Sequence, residues 1–258
     1  MSSNSAPIRW LKFLVGTSPS ARDLHSPVAA VRFTLVATAI YALLMSPQLN
    51  LQARFAPLFR TFGNKLFANG FGTHDEASVH FFDAGAKDLF DQVNRAFVLE
   101  LPRSYEKNIP RAQGEKDTLL LLQSTEKKSG GFLRTGARLM AFTPAAILLA
   151  IVLATPCSLR RRTVLFACSF ILLAAFVAFR LSILVVHGGF AVPQKSYHLY
   201  EPSDFWRDVL NRVYTVVCDN PTFHYVAPII IWAVVVVGLS FVAYNLQVRQ
   251  ENSLAPKT

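Results

Sequence analysis

Four apolar runs, each close to the length that crosses a bilayer, constrain this chain more than any other feature. They lie at 28–46, 138–156, 163–187 and 225–246. A helix rises about 1.5 Å per residue and the hydrocarbon core is about 30 Å thick, so about 20 apolar residues suffice to cross it. The chain is 52% hydrophobic and only 16% charged, whereas soluble domains carry about a quarter charged residues. The expected class is a membrane α-helical protein. It has about four transmembrane helices and a small α+β extramembrane segment between the first and second.

The first run, Val28 to Ser46, ends in Leu44-Met45-Ser46-Pro47. A cleavable signal peptide has a shorter apolar core and a small-residue cleavage site, so the run reads as an uncleaved anchor. Arg32 lies one turn in, where its side chain can snorkel to the interface. Before it, the tail 1–27 contains an amphipathic stretch, Pro7 to Gly16, in which Arg9, Trp10 and Lys12 suit a membrane surface. A disordered tail is the competing reading of that stretch.

The segment 47–137 is the largest part outside the apolar runs. Arg54 to Phe71 carries Phe55, Leu58, Phe59, Phe62, Leu66 and Phe67 at helical spacing, with Arg54, Arg60 and Lys65 between them. This predicts an amphipathic helix lying on the bilayer or packed under the rest of the segment. Strands are expected at Ala77–Phe82, Ala96–Leu101 and Thr118–Ser124, with turns at Asp83–Ala86 and Gln113–Glu115. Lys127 to Gly131 reads as a linker.

In the second run Pro144 is expected to kink the helix. Cys157 to Arg162 makes a very tight basic connection to the third run, which His187-Gly188-Gly189 is expected to end. In the loop 188–224, Ser203 is a good N-cap for a short helix whose Phe205, Val209, Val213 and Val216 share a stripe. The fourth run is followed by a polar tail, 247–258.

Lysine and arginine in short loops mark the cytoplasmic side. Arg160, Arg161 and Arg162 fill the only very short loop. Both termini are therefore expected in the cytoplasm and both large segments outside, in a cell membrane. The net charge of +10 does not point to nucleic acid. The 47–137 segment balances twelve basic against ten acidic residues, and the remaining arginines flank or enter the spans, where they meet lipid head groups.

Arg180 is the most informative single residue, because a charge near a span's centre costs about 2.5–3.5 kcal/mol on insertion scales. It lies about seven residues from the outer end of its run, within snorkelling reach, and Glu201 and Asp219 are acidic partners in the adjoining loop. Cys168 and His187 share the third run but stand 19 residues apart, about 28 Å on a continuous helix, which precludes a nucleophile–base pair. Cys218 is the better thiol candidate. His224, His187 and Arg180 are the groups that could converge on it as base and cation, although no spacing makes the set specific. A small apolar role for Cys218 competes with it. His74, Asp75, Glu76 and His80 superficially resemble a metal cluster, but the spacing completes no ligand set. No cofactor or metal is implied.

The run Arg134 to Arg162, a proline-bearing apolar stretch ending in Cys157-Ser158-Leu159-Arg160-Arg161-Arg162, resembles bacterial exosortase-associated small integral membrane proteins. The likeness in layout spans about 28–187. It implies an accessory role in protein sorting or envelope polysaccharide export, with a larger membrane protein as partner, and it carries no catalytic residues over. Two other readings stand beside it. One is a membrane thiol peptidase or transpeptidase using Cys218, and the other a subunit of an oligomeric channel or transporter.

Overall fold

A computed structural model describes residues 27–67, 77–97, 102–113, 116–124, 129–191 and 203–254. The amphipathic stretch at 7–16, the His74-Asp75-Glu76 cluster and Glu201 lie outside the described residues.

In chain order, the first apolar run forms helix α1 (Pro27–Leu44). A single 3-10 turn, Pro47–Leu49, leads through Asn50 in the left-handed region (φ 46°) into α2 (Leu51–Leu66). Strand β1 (Ala77–Asp83), helix α3 (Leu89–Ala96), strand β2 (Thr118–Ser124) and strand β3 (Ser129–Thr135) come next. A π-turn at Arg138–Phe142 opens α4 (Thr143–Ala154). Next come α5 (Leu159–Ala191), which takes Arg160, Arg161 and Arg162 of the expected basic connection into its first turn, then α6 (Asp204–Tyr214), a second π-turn at Thr215–Asp219 and α7 (Pro221–Leu254).

The described chain is mostly helical, with a small three-stranded sheet. Two of its helices are long and apolar enough to cross a membrane, over Leu159–Gly188 and Pro221–Asn245. Only 17% of the second is buried within the chain, unlike the core helix of a soluble protein. The other two expected spans form shorter apolar helices, Ala30–Leu44 and Arg138–Ala154.

The chain divides into two compact units. One gathers Met1–Leu44, Ala145–Ala174 and Val226–Thr258 and, where described, is helical. Among its contacts, Trp232 stacks on Phe33 at 5.8 Å and donates its indole N–H to Thr155 Oγ1 at 3.1 Å. Arg162 donates to the Thr155 carbonyl at 3.2 Å.

The other unit, Met45–Pro144 and Ala175–Tyr225, is α+β. Its sheet is an antiparallel meander, β1-β2-β3, with Phe81 opposite Leu120 and Leu121 opposite Phe132. The central strand reads Thr-Leu-Leu-Leu-Leu-Gln-Ser because both of its faces are covered. Leu119 and Leu121 pack with Leu89, Phe90 and Val93 of α3. On the other face Phe81, the partner of Leu120, meets Phe59 and Phe67 at ring distances of 6.2 and 5.9 Å. Thus α2 packs under the sheet. Gly63 makes that approach possible, since a Cβ there would lie 2.7 Å from the buried Phe81 ring. The side-chain amide of Asn64 accepts from Phe81 N–H at 2.7 Å and donates to Phe81 C=O at 3.1 Å, closing the free edge of β1.

Three expectations need correction. The stretch read as a linker from Lys127 to Gly131 runs into β3, because Leu121 and Leu122 of the buried central strand need partners on both edges. The strand expected at Ala96–Leu101 begins on the last residue of α3, whose Leu89, Phe90 and Val93 fit a helical stripe; 98–101 lie outside the described residues. The third apolar helix does not end at His187-Gly188-Gly189 but runs to Ala191. Gly188 has a packing role: a Cβ there would collide with the Leu133 side chain of β3.

Candidate functional site: a buried arginine between two proline-ended turns

Both π-turns end in the same local chemistry. In a π-turn each carbonyl accepts from the N–H five residues on, and in an α-helix from the N–H four residues on. At the first turn, Thr143 N–H reaches back to the Arg138 carbonyl in the π pattern. The next carbonyl, Leu139, would need the N–H of residue 144, and so would Met140 in the α pattern. Residue 144 is proline, which has no N–H. At the second turn, Val217 would take the N–H of residue 221, again a proline. Thr222 N–H is held by the Asn220 side chain at 2.9 Å. Asn220 itself is extended (φ −75°, ψ 113°), as a residue before proline prefers.

Arg180 of α5 supplies the missing donors. Its Nε donates to Val217 O at 3.0 Å, and its Nη1 donates to Met140 O at 3.0 Å and Leu139 O at 3.3 Å. The guanidinium also lies over the Phe176 ring, one turn earlier on α5, at 5.6 Å, and Phe176 packs on Phe223 at 5.7 Å. Arg180 is completely buried. The expected snorkelling or pairing with Asp219 gives way to donation into backbone carbonyls. Three backbone oxygens carry enough partial negative charge to hold a guanidinium to which, among the described residues, no carboxylate is bonded.

The structure brings Cys218 and His224 to the same place. Arg180 Nη2 faces His224 Nε2 at 3.5 Å, and Cys218 Sγ donates to the Arg180 carbonyl at 3.5 Å. Arginine has only donors, so Nε2 of His224 accepts and the ring proton sits on Nδ1. That Nδ1 is buried and has no hydrogen-bond partner among the described residues. The histidine nitrogen that could act as a base is therefore turned to the guanidinium, and the thiol to a carbonyl. Burial pushes the Cys218 thiol up to about 11, against the pull of Arg180. A nucleophilic cysteine needs the opposite setting: an adjacent base and a depressed pKa.

His187 is not part of this cluster. Its ring stacks on Tyr214 at 3.8 Å and 5°, and its Nε2 meets Asn211 Oδ1 at 3.0 Å. It ties α6 to the end of α5. Cys168 lies on α5 within the helical unit, 19 residues from His187 in sequence. His80 sits on β1 beside Phe82, half-buried. Among the described residues, no three His, Cys, Asp or Glu side chains gather closely enough to hold a metal ion.

No protein-family model, no curated protein and no solved structure matches this chain.

The residues missed in the sequence are the prolines as partners of the arginine. Pro144 was legible as a kink, and Pro221 precedes the fourth apolar run. The signal was an isolated arginine in one apolar run with a proline at the mouth of each neighbouring run.

Proposed function

We propose that this chain is an integral membrane accessory or assembly subunit that crosses the membrane four times. Its α+β segment and its 188–224 loop lie outside the cytoplasm and bind a larger membrane protein. Both termini are cytoplasmic in this arrangement, and the membrane is the inner membrane of a bacterium. The resemblance of the 134–162 stretch to exosortase-associated proteins supports protein sorting or envelope polysaccharide export as the process.

The observation that carries a non-catalytic role is the engagement of Arg180. Its guanidinium donates to three backbone carbonyls and faces the acceptor nitrogen of His224. The intramembrane charge singled out as a candidate for a substrate or an ion path is thus used to brace the chain. An arginine lining the axis of an oligomeric pore would be open on one side, whereas this one is fully buried in its own chain. The two long apolar helices support insertion in a membrane.

The thiol-enzyme reading keeps one observation in its favour, the meeting of Cys218, His224 and Arg180. It would require His224 to turn from the guanidinium to the sulfur.

Purification in mild detergent from the native membrane tests the proposal. A larger membrane protein retained at constant stoichiometry is the expected result. A chain that purifies alone, together with an activity lost in Cys218→Ala, would favour the thiol enzyme instead.

A further inference from the structure

Helix α6 is amphipathic, yet none of its residues is fully buried. Phe205, Val209, Val213, Trp206 and Leu210 fall on one side of the helix at 100° per residue, and Arg207, Asn211, Asp208 and Arg212 on the other. Toward its C-terminal end the apolar side is half-covered. At its start Phe205 and Trp206 are 68% and 62% exposed, their rings against each other at 5.4 Å. Two large aromatics displayed to water at one end of a helix need an occupant.

The place of the helix says which. Asn211 and Tyr214 are held by His187, one residue before the last residue of the first apolar crossing segment, Leu159–Gly188. Past Tyr214 the chain turns through Thr215–Asp219 directly into the second, which begins at Pro221. The helix is thus fixed to the adjoining ends of two spans. Val216 of the connecting turn and Tyr225 at the start of the second segment are also exposed. At that depth a bilayer presents its boundary between head groups and acyl chains, where tryptophan and other aromatics are favoured and arginine reaches phosphate.

We infer that α6 is an interfacial helix, seated in the outer head-group boundary of the bilayer through Phe205 and Trp206. This rests on the membrane-spanning reading of the chain. It adds a fixed depth for α6, and it assigns this aromatic face to lipid rather than to the partner protein.

The test is tryptophan quenching in the full chain reconstituted in phosphatidylcholine vesicles. Trp206 is isolated by difference between the native chain and Trp206→Phe, so the Trp232 contact stays intact. Lipids brominated near the head-group end of the acyl chain are expected to quench Trp206 at least about twofold more than lipids brominated near the chain terminus, with aqueous iodide ineffective. Free quenching by iodide with no effect of either bromolipid would overturn the inference and leave the face to a protein. Alkaline carbonate extraction of the same vesicles separates the two claims. A chain retained in the vesicles while Trp206 is open to iodide loses only the interfacial seat; a chain released by carbonate loses the spanning reading as well.

Discussion

Arg180 donates its Nε–H to the carbonyl of Val217 at 3.0 Å, and the backbone donor that would otherwise have filled that carbonyl is absent because residue 221 is proline. The same relationship recurs at Leu139 and Met140 with Pro144. One side chain on α5 thereby closes the open ends of two π-turns that are 77 residues apart, from 138 to 215. Pi-turns are rare and mark places where a helix carries an extra residue for a reason. Here each turn presents backbone oxygens to one guanidinium.

Removing the guanidinium should destabilise the α+β unit severely. Arg180→Met removes the guanidinium donor from three carbonyls, two of them in buried bonds and one in a part-buried bond, at about 1–3 kcal/mol for each buried one. Arg180→Lys keeps the charge but loses the planar fork and should recover only part of the loss. Thermal unfolding in detergent, followed by near-ultraviolet circular dichroism, checks the order native, Lys, Met.

Cys218 should react slowly. Burial raises its thiol from an ordinary 9.0 to about 11, so its thiolate fraction at neutral pH falls about a hundredfold. Iodoacetamide labelling, read by mass spectrometry, should modify Cys218 far more slowly in the folded protein than after unfolding in dodecyl sulfate. Equal rates would mean an open, activated thiol and would revive the enzyme reading.

His80 gives the sheet a defined acid sensitivity. Burial lowers its imidazole below the ordinary 6.5, so the unfolded chain binds the proton more readily than the folded one. Its contribution is fully present above pH 6.5 and is lost as pH falls through the lowered value. His80 should therefore contribute to a drop in unfolding temperature between pH 7 and pH 5, and His80→Gln should reduce that drop.

Gly63 should tolerate no side chain. Gly63→Ala would place a Cβ 2.7 Å from the Phe81 ring, which is buried between α2 and the sheet. Overpacking of this kind destabilises by about 1–3 kcal/mol. Denaturant unfolding measures it, and the exposed neighbour Thr61→Ala serves as a control in the same helix.

The sequence made some of this legible and hid the rest for identifiable reasons. The run Thr118–Ser124 was readable as a strand because four leucines in a row need burial on both faces. The helix holding Phe59 and Gly63 was readable from its stripe, and it packs under the sheet, one of the two places that stripe allowed. β3 was not legible: Ser129-Gly130-Gly131 looks like a linker, and only its partnership with Leu121 and Leu122 makes it a strand. Gly188 looked like a helix stop because its value lies in the Leu133 side chain, 55 residues away, which makes room for nothing larger. At the site, Arg180, Cys218 and His224 could be named from their types. Their roles could not, since a proline's effect falls on a carbonyl four or five residues earlier. Such a carbonyl seeks its donor across the fold, not along the chain.

The most direct measurement is a double-mutant cycle between Arg180→Met and the pair Pro144→Ala with Pro221→Ala, read by unfolding free energy in detergent. Alanine returns an N–H to the reach of Leu139, Met140 and Val217. Loss of the guanidinium should therefore be milder in the alanine background, by about 1–3 kcal/mol. An Arg180→Met cost that is the same in both backgrounds would contradict the account, because the arginine would then be serving something other than the carbonyls the prolines leave open.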